Sequence, residues 1–202
     1  MFSADCSALC HICDGSCRFL NVSRHQAEHA GLYSYTDSVT GQKRLAKFSV
    51  RYGTEVHAAW ASVGLAPALF DVIDLNFNTF LITMERLPEA WRVLSDLSDS
   101  ELMEAKPHVL QALLKAQTVE IRMGAVGVHG DMRLPNVAVL LEDHQWHVKF
   151  LDFDWAGVAE KSTYPPFMNP KIAWPAGAQP FYVMLSKHDV KLLQMEFDQR
   201  LN

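Results

Sequence analysis

The feature that most constrains this chain is a set of polar residues held at fixed spacing between apolar stretches. Val128-His129-Gly130-Asp131 is followed, after four residues, by Asn136-Val137, and after the length of a short hairpin by Lys149-Phe150-Leu151-Asp152-Phe153-Asp154. The ordinary alternative is a loop with two polar ends and then a strand that happens to finish in Asp. With average residue usage, His-x-Asp-x4-Asn alone occurs in on the order of 1 % of chains of this length. The Leu151-Asp152-Phe153 that follows makes coincidence rarer still.

The whole chain sets wide bounds. Its 202 residues are 49 % apolar and 20 % charged, enough for one domain or two small lobes with a core. With a net charge of −5, nothing in the composition suggests the basic stripe expected of a nucleic-acid surface. No apolar run approaches the roughly 20 residues that span a bilayer. Met1 to Ala8 has no basic, then long apolar, secretion signal. The expected location is therefore the cytosol or nucleus, where thiols stay reduced.

Cys6, Cys10, Cys13 and Cys17 all fall at the N-terminus. Cys10-x2-Cys13 and His25-x3-His29 are separated by eleven residues, close to a zinc-finger spacing but short of it. Two readings stand here: a zinc site, or an atypical N-terminal segment with free thiols.

Local patterns order the rest. Leu32 to Tyr35 and Arg44 to Val50 read as a hairpin about the Thr40-Gly41-Gln42 turn. Lys47 sits between Ala46 and Phe48 in the second strand. It either needs an anionic partner within a buried strand or is solvated on an edge strand. Tyr52 to Val63 reads as a short helix stopped by Gly64, with Glu55 near its start, where a carboxylate is favourable even without a partner. Ala68–Ile73 and Thr79–Glu85 are two further strands. Ser100–Arg122 has a long helical period, capped by Ser98 or Ser100, with Pro107 expected to kink or divide it. Ala138–Leu141 and His147–Leu151 form a second hairpin. Residues 162–180 form an ordered loop, and Ser186-Lys187-His188-Asp189 opens a last helix.

This order of elements resembles the protein-kinase-like superfamily, over roughly residues 31–195. Within it the chain looks most like atypical fungal-type kinases and like aminoglycoside and choline phosphotransferases. The carrying residues are Ala46-Lys47-Phe48, Tyr52 to His57, Gly64 to Pro67, Thr83-Met84-Glu85, His129 to Asn136, Leu151 to Gly157, Tyr164-Pro165 and His188-Asp189. The resemblance implies an α+β fold: an abbreviated two-lobed kinase with a small antiparallel-sheet N-lobe carrying one helix, and a shortened, mainly helical C-lobe. The implied boundaries are 1–30 for the Cys-rich segment, 31–88 for the N-lobe with its hinge, and 89–202 for the C-lobe.

The resemblance also implies an ATP- and Mg2+-dependent phosphotransferase acting on a hydroxyl of a protein Ser/Thr or a small molecule. A catalytically silent, kinase-like binding module is the alternative. In the active reading Lys47 contacts the α- and β-phosphates and Glu55 holds it. Met84 is the gatekeeper, and Glu85 to Leu87 form the hinge that meets adenine. Asp131 orients or deprotonates the acceptor, Asn136 and Asp152 hold magnesium, and His129 and Asp189 brace the loop. Neither a nucleic acid nor a membrane is an expected partner.

Four departures accompany the resemblance. Gly130 stands where regulated protein kinases carry Arg. Asp154 replaces the Gly of the usual metal loop. No Gly-x-Gly-x-x-Gly precedes Lys47, so the first strand and the phosphate-covering loop are expected to be absent. About fifty residues follow Asp152, too few for most peptide-docking helices of protein kinases.

Overall fold

The computed structural model describes residues 18–24, 31–76 and 78–201. The Cys and His residues of the zinc reading lie outside them. The chain forms two compact units, one built from residues up to Arg51 together with Leu69–Arg86, the other from Tyr52–Ala68 and Leu87 onward.

The first unit is a five-stranded antiparallel sheet. Its strands are β1 (Phe19–Arg24), β2 (Leu32–Asp37), β3 (Lys43–Ser49), β4 (Leu69–Asp74) and β5 (Phe80–Glu85), in spatial order β1-β2-β3-β5-β4. The first strand, expected to be missing, is present and pairs with β2. Its period-2 signal is interrupted by a register shift between Leu20 and Ser23, and Asn21 has φ +51°. That irregularity hides the strand from a pattern search. Phe19, Tyr35, Ala46 and Leu81 form the core of the sheet, with the Phe19 and Tyr35 rings 4.5 Å apart.

The β2–β3 turn is fixed by one buried carboxylate. Asp37 accepts from the Val39 and Thr40 amides, and its other oxygen meets Arg44 at 2.8 Å and Arg18 at 3.0 Å. Burial alone would raise this carboxyl, but the Thr40 donors and the two guanidinium groups hold it down at about 2.

The second unit begins with α1 (Thr54–Ser62). The short strand β6 (Arg92–Val93) and a 3-10 turn over Leu94–Asp96 lead to α2 (Asp99–Ala116). Ser98 and Glu101 close a capping box at the start of α2. Pro107 does not divide the helix; α2 runs through it, and the residue is exposed. The helix does end earlier than its period predicts. Thr118, Val119 and Ile121 are β-branched, and the last of them lies in β7 (Glu120–Arg122). This strand pairs with β8 (Ala125–Val128) across a turn containing Gly124 at φ +68°.

Strands β9 (Val137–Glu142) and β10 (Gln145–Phe150) make the expected hairpin, and β6 extends it into a sheet of order β10-β9-β6. Strand β11 (Gly157–Val158) pairs with β8, and α3 (Ser186–Leu201) closes the chain. Leu102, Val109 and Leu113 of α2 join Leu193 and Phe197 of α3, with Trp60, Phe150 and Phe153, in one fully buried cluster. No helix among the described residues is long and apolar enough to cross a membrane.

Candidate functional site

Strand β8 ends at Val128, and the chain then turns through a loop held from three directions. Asp189, in the first turn of α3, is 1 % exposed. Its carboxylate accepts the His129 amide at 2.7 Å and the Gly130 amide at 2.9 Å. Burial pushes this carboxyl up, and the His129 ring and the two amides oppose that.

His129 is fully buried. Its Nδ1 accepts the Asp131 amide at 3.3 Å, so its Nε2 carries the proton and donates to the Leu151 carbonyl at 2.7 Å. One ring thereby ties the first loop to the residue preceding Asp152. A second tie is the Leu151 amide, which donates to the Asn136 carbonyl at 2.8 Å.

Gly130 has φ +80°, and a Cβ there would lie 2.7 Å from the Met184 sulfur and 3.3 Å from Trp155 Cβ. The loop path therefore requires glycine at this position.

Asp131 is gripped by its neighbours. Arg133 donates Nε to one carboxylate oxygen at 2.6 Å and Nη2 to the other at 2.7 Å. Asn136 donates its Nδ2 to the Asp131 carbonyl at 2.8 Å and to the carboxylate at 3.1 Å. The amide oxygen of Asn136 is not used in either bond. Asp131 raises the Arg133 guanidinium above its ordinary value, with Glu196 and Asp152 adding smaller effects. Arg133 had no spacing signal in the sequence. Its role depends on a loop in which residues two apart face each other.

Asp152 itself is solvent-exposed at φ +62°, a left-handed conformation that turns the chain sharply after β10. The next residue, Phe153, is buried against His57 of α1, with ring centroids 4.4 Å apart and planes 2° from parallel. His57 Nδ1 lies 2.6 Å from the Tyr52 hydroxyl, and its Nε2 lies 2.8 Å from the Pro67 carbonyl. Burial, with Asp154 and Asp152 nearby, pushes the Tyr52 phenol well up, so it stays protonated and donates to His57. Trp60 and His129 also pack on Phe153. A continuous aromatic column thus runs from α1 through the residue after Asp152 to the residue two before Asp131.

The remaining expected residues fall as follows. Lys47 lies on β3, opposite Leu32 of β2 and Ile82 of β5. It is on an interior strand, so the edge-strand reading does not apply. Met84 and Glu85 end β5, and Leu87 follows it. Glu55 is in the first turn of α1, and its carboxylate meets Arg122 at 2.7 Å in an exposed ion pair.

The described residues contain no group of three or more His, Cys, Asp or Glu side chains poised for a metal. The candidate oxygen donors are Asn136 and Asp152, on loops joined through the Leu151 amide. Hard carboxylate and amide oxygens suit magnesium, which takes few protein ligands and completes its shell with water and phosphate.

No protein-family model matches the chain, and no curated protein matches it. Among solved structures, the Cydia pomonella granulovirus kinase PK-1 superposes with a TM-score of 0.65. The two are 13 % identical, and the match covers 91 % of this chain and 68 % of the viral one. At that identity the likeness concerns the fold. The chain has an abbreviated protein-kinase-like fold of α+β class.

Proposed function

We propose that the chain is a Mg2+- and ATP-dependent phosphotransferase that delivers the γ-phosphoryl group to a hydroxyl acceptor, a protein Ser/Thr or a small molecule. The carrying observation is the fixed Asp131. Its carboxylate is oriented by Arg133 and Asn136, on a loop pinned by buried Asp189 and tied through His129 to the strand end before Asp152. Such fixed orientation is what phosphoryl transfer asks of a protein, since positioning and charge neutralisation supply most of the catalysis.

In this reading Asp131 accepts the proton of the acceptor hydroxyl as its oxygen bonds to phosphorus and the bond to the ADP oxygen breaks. Asn136 and Asp152 would hold magnesium, which would supply neutralisation of the phosphate charge. Lys47 contacts the α- and β-phosphates, with Glu55 holding it. The Glu55–Arg122 pair is exposed, and such pairs contribute at most about 1 kcal/mol, so it can exchange for another cation. Met84 to Leu87 receive adenine. Arg133 enters as an additional residue, able to follow charge from Asp131 to the transferring phosphoryl group. The His129-Gly130-Asp131 form supports placement with the fungal-type and aminoglycoside-phosphotransferase-like branches.

A second reading, a kinase-like binding module without turnover, is favoured by one feature: Arg133 occupies both oxygens of Asp131. Transfer of label from γ-labelled ATP to protein and small-molecule hydroxyl mixtures separates the two. The enzyme reading predicts transfer by the parent and none by Asp131→Ala or Asp152→Ala. It also predicts that only the second variant loses Mg–ATP binding. Full nucleotide binding by both variants, with no transfer by the parent, would establish the binding module.

A further inference from the structure

The second unit carries a groove of about 680 Å³ that plays no part in the chemistry above. That volume lies within the roughly 300–1,000 Å³ of ligand-binding clefts. One wall is a helical stripe of α2, with His108, Gln111, Ala112 and Lys115 at spacings of three, one and three. The opposite wall is β10, which contributes four consecutive residues, Trp146 to Lys149. Successive strand residues point to opposite faces. A cleft that touches all four therefore lies along the edge of the strand, not on one face.

That edge is open. Strand β10 is outermost in the order β10-β9-β6. Its hairpin has a two-residue turn, Asp143-His144, with φ +48° and +61°. In such a turn the closing pair, Glu142 and Gln145, exchanges both backbone bonds, and pairs then alternate. Gln145, His147 and Lys149 therefore bond inward to β9, while Trp146, Val148 and Phe150 direct their N–H and C=O outward. The Phe150 amide obeys this, donating to the Leu65 carbonyl at the closed end of the groove. No described residue outside the hairpin bonds the Trp146 or Val148 backbone.

The groove lining is basic. Lys115, Lys149, His108 and His147 line the groove and no carboxylate does, in a chain with 23 Asp and Glu against 18 Lys and Arg. Trp91 and Trp146 supply apolar surface, and the Lys149 ammonium sits 5.6 Å over the Trp91 ring.

We infer that this groove docks an extended acidic peptide segment of a partner protein, which adds to β10 as a further strand. Backbone groups of Trp146 and Val148 pair with the segment, Lys115 meets its carboxylates, and the tryptophans take its apolar side chains. Strand β10 runs through Phe150 and Leu151 directly into Asp152, so the occupant rests on the element that ends at the proposed metal loop. Docking itself does not depend on phosphotransfer.

The test titrates the full chain with a fluorescein-labelled ten-residue peptide of alternating Glu and Val. A Lys–Val peptide and a single-stranded oligo-thymidine serve as alternatives. The Glu–Val peptide is expected to bind, and the Trp146 and Val148 amides to gain protection from hydrogen exchange while His147, already bonded, changes little. Lys115→Glu, an exposed site that leaves folding intact, weakens binding about fivefold. N-methylating alternate amides of the probe abolishes binding in one of its two frames, to which a loosely held polyanion is indifferent. Equal binding of the Lys–Val peptide, parent-like binding by Lys115→Glu, or binding of the oligonucleotide in place of the Glu–Val peptide would overturn the assignment.

Discussion

Asp131 is an acidic side chain whose position is decided by residues that have no independent signature. Arg133 forks both its oxygens, and Asn136 holds its backbone as well as its carboxylate. A planar guanidinium can do this with two parallel bonds, whereas a lysine offers a single point charge. Arg133→Ala is therefore expected to lower the turnover of phosphoryl transfer about 10–100-fold with little change in the KM for ATP. Arg133→Lys should recover only part of the loss, and steady-state kinetics of both variants checks this. Asp37 offers a residue-scale prediction outside the site. Its carboxyl is held at about 2 when folded, below the usual value near 3.9 in an unfolded chain. Its stabilising contribution is thus complete above about pH 4 and disappears as pH falls through about 2. Urea midpoints of the parent and Asp37→Asn should differ at pH 6 and converge towards pH 2.

Elements bring these residues together, and the sequence revealed the elements unevenly. The β2–β3 and β9–β10 hairpins, α1 and α3 were legible because turn residues and periodicity agreed. The start of α2 was legible for the same reason. Its Ser98 capping box predicts that Ser98→Ala costs about 1 kcal/mol in urea unfolding. The end of α2 was misread because Thr118, Val119 and Ile121 continue an apolar pattern while preferring extended backbone. Strand β1 was missed because its bulge between Leu20 and Ser23 breaks the alternation that identifies strands. The loop motif was read from its spacing, whereas the bracing role of Asp189, sixty residues downstream of His129 in sequence, came only from the family resemblance. The contact between His57 and Phe153 was not legible. A lone histidine on an apolar helix gives no sign of the ring it will face. That stack joins α1 to the residue after Asp152, so Phe153→Ala, which removes a fully buried ring, should cost roughly 3–5 kcal/mol. Chemical denaturation with the parent as reference measures it.

For the whole molecule, the fold and the chemistry rest on different kinds of support. A solved viral kinase shares the fold at 13 % identity, while the proposed activity rests on the geometry of a few side chains. Asp131, Asn136, Asp152 and their braces lie in the second unit, as does Leu87. Lys47, on an interior strand, and Met84 and Glu85, at the end of β5, lie in the first. Magnesium-dependent ATP binding is therefore the property on which the proposed chemistry rests most directly. Isothermal calorimetry of the full chain with ATP, with and without Mg2+, measures it. The expected result is binding by the parent that weakens strongly when Mg2+ is removed or when Asp152 is replaced by Ala, and that survives Asp131→Ala. ATP binding that is absent from the parent, or that is indifferent to both Mg2+ and Asp152→Ala, would contradict the account.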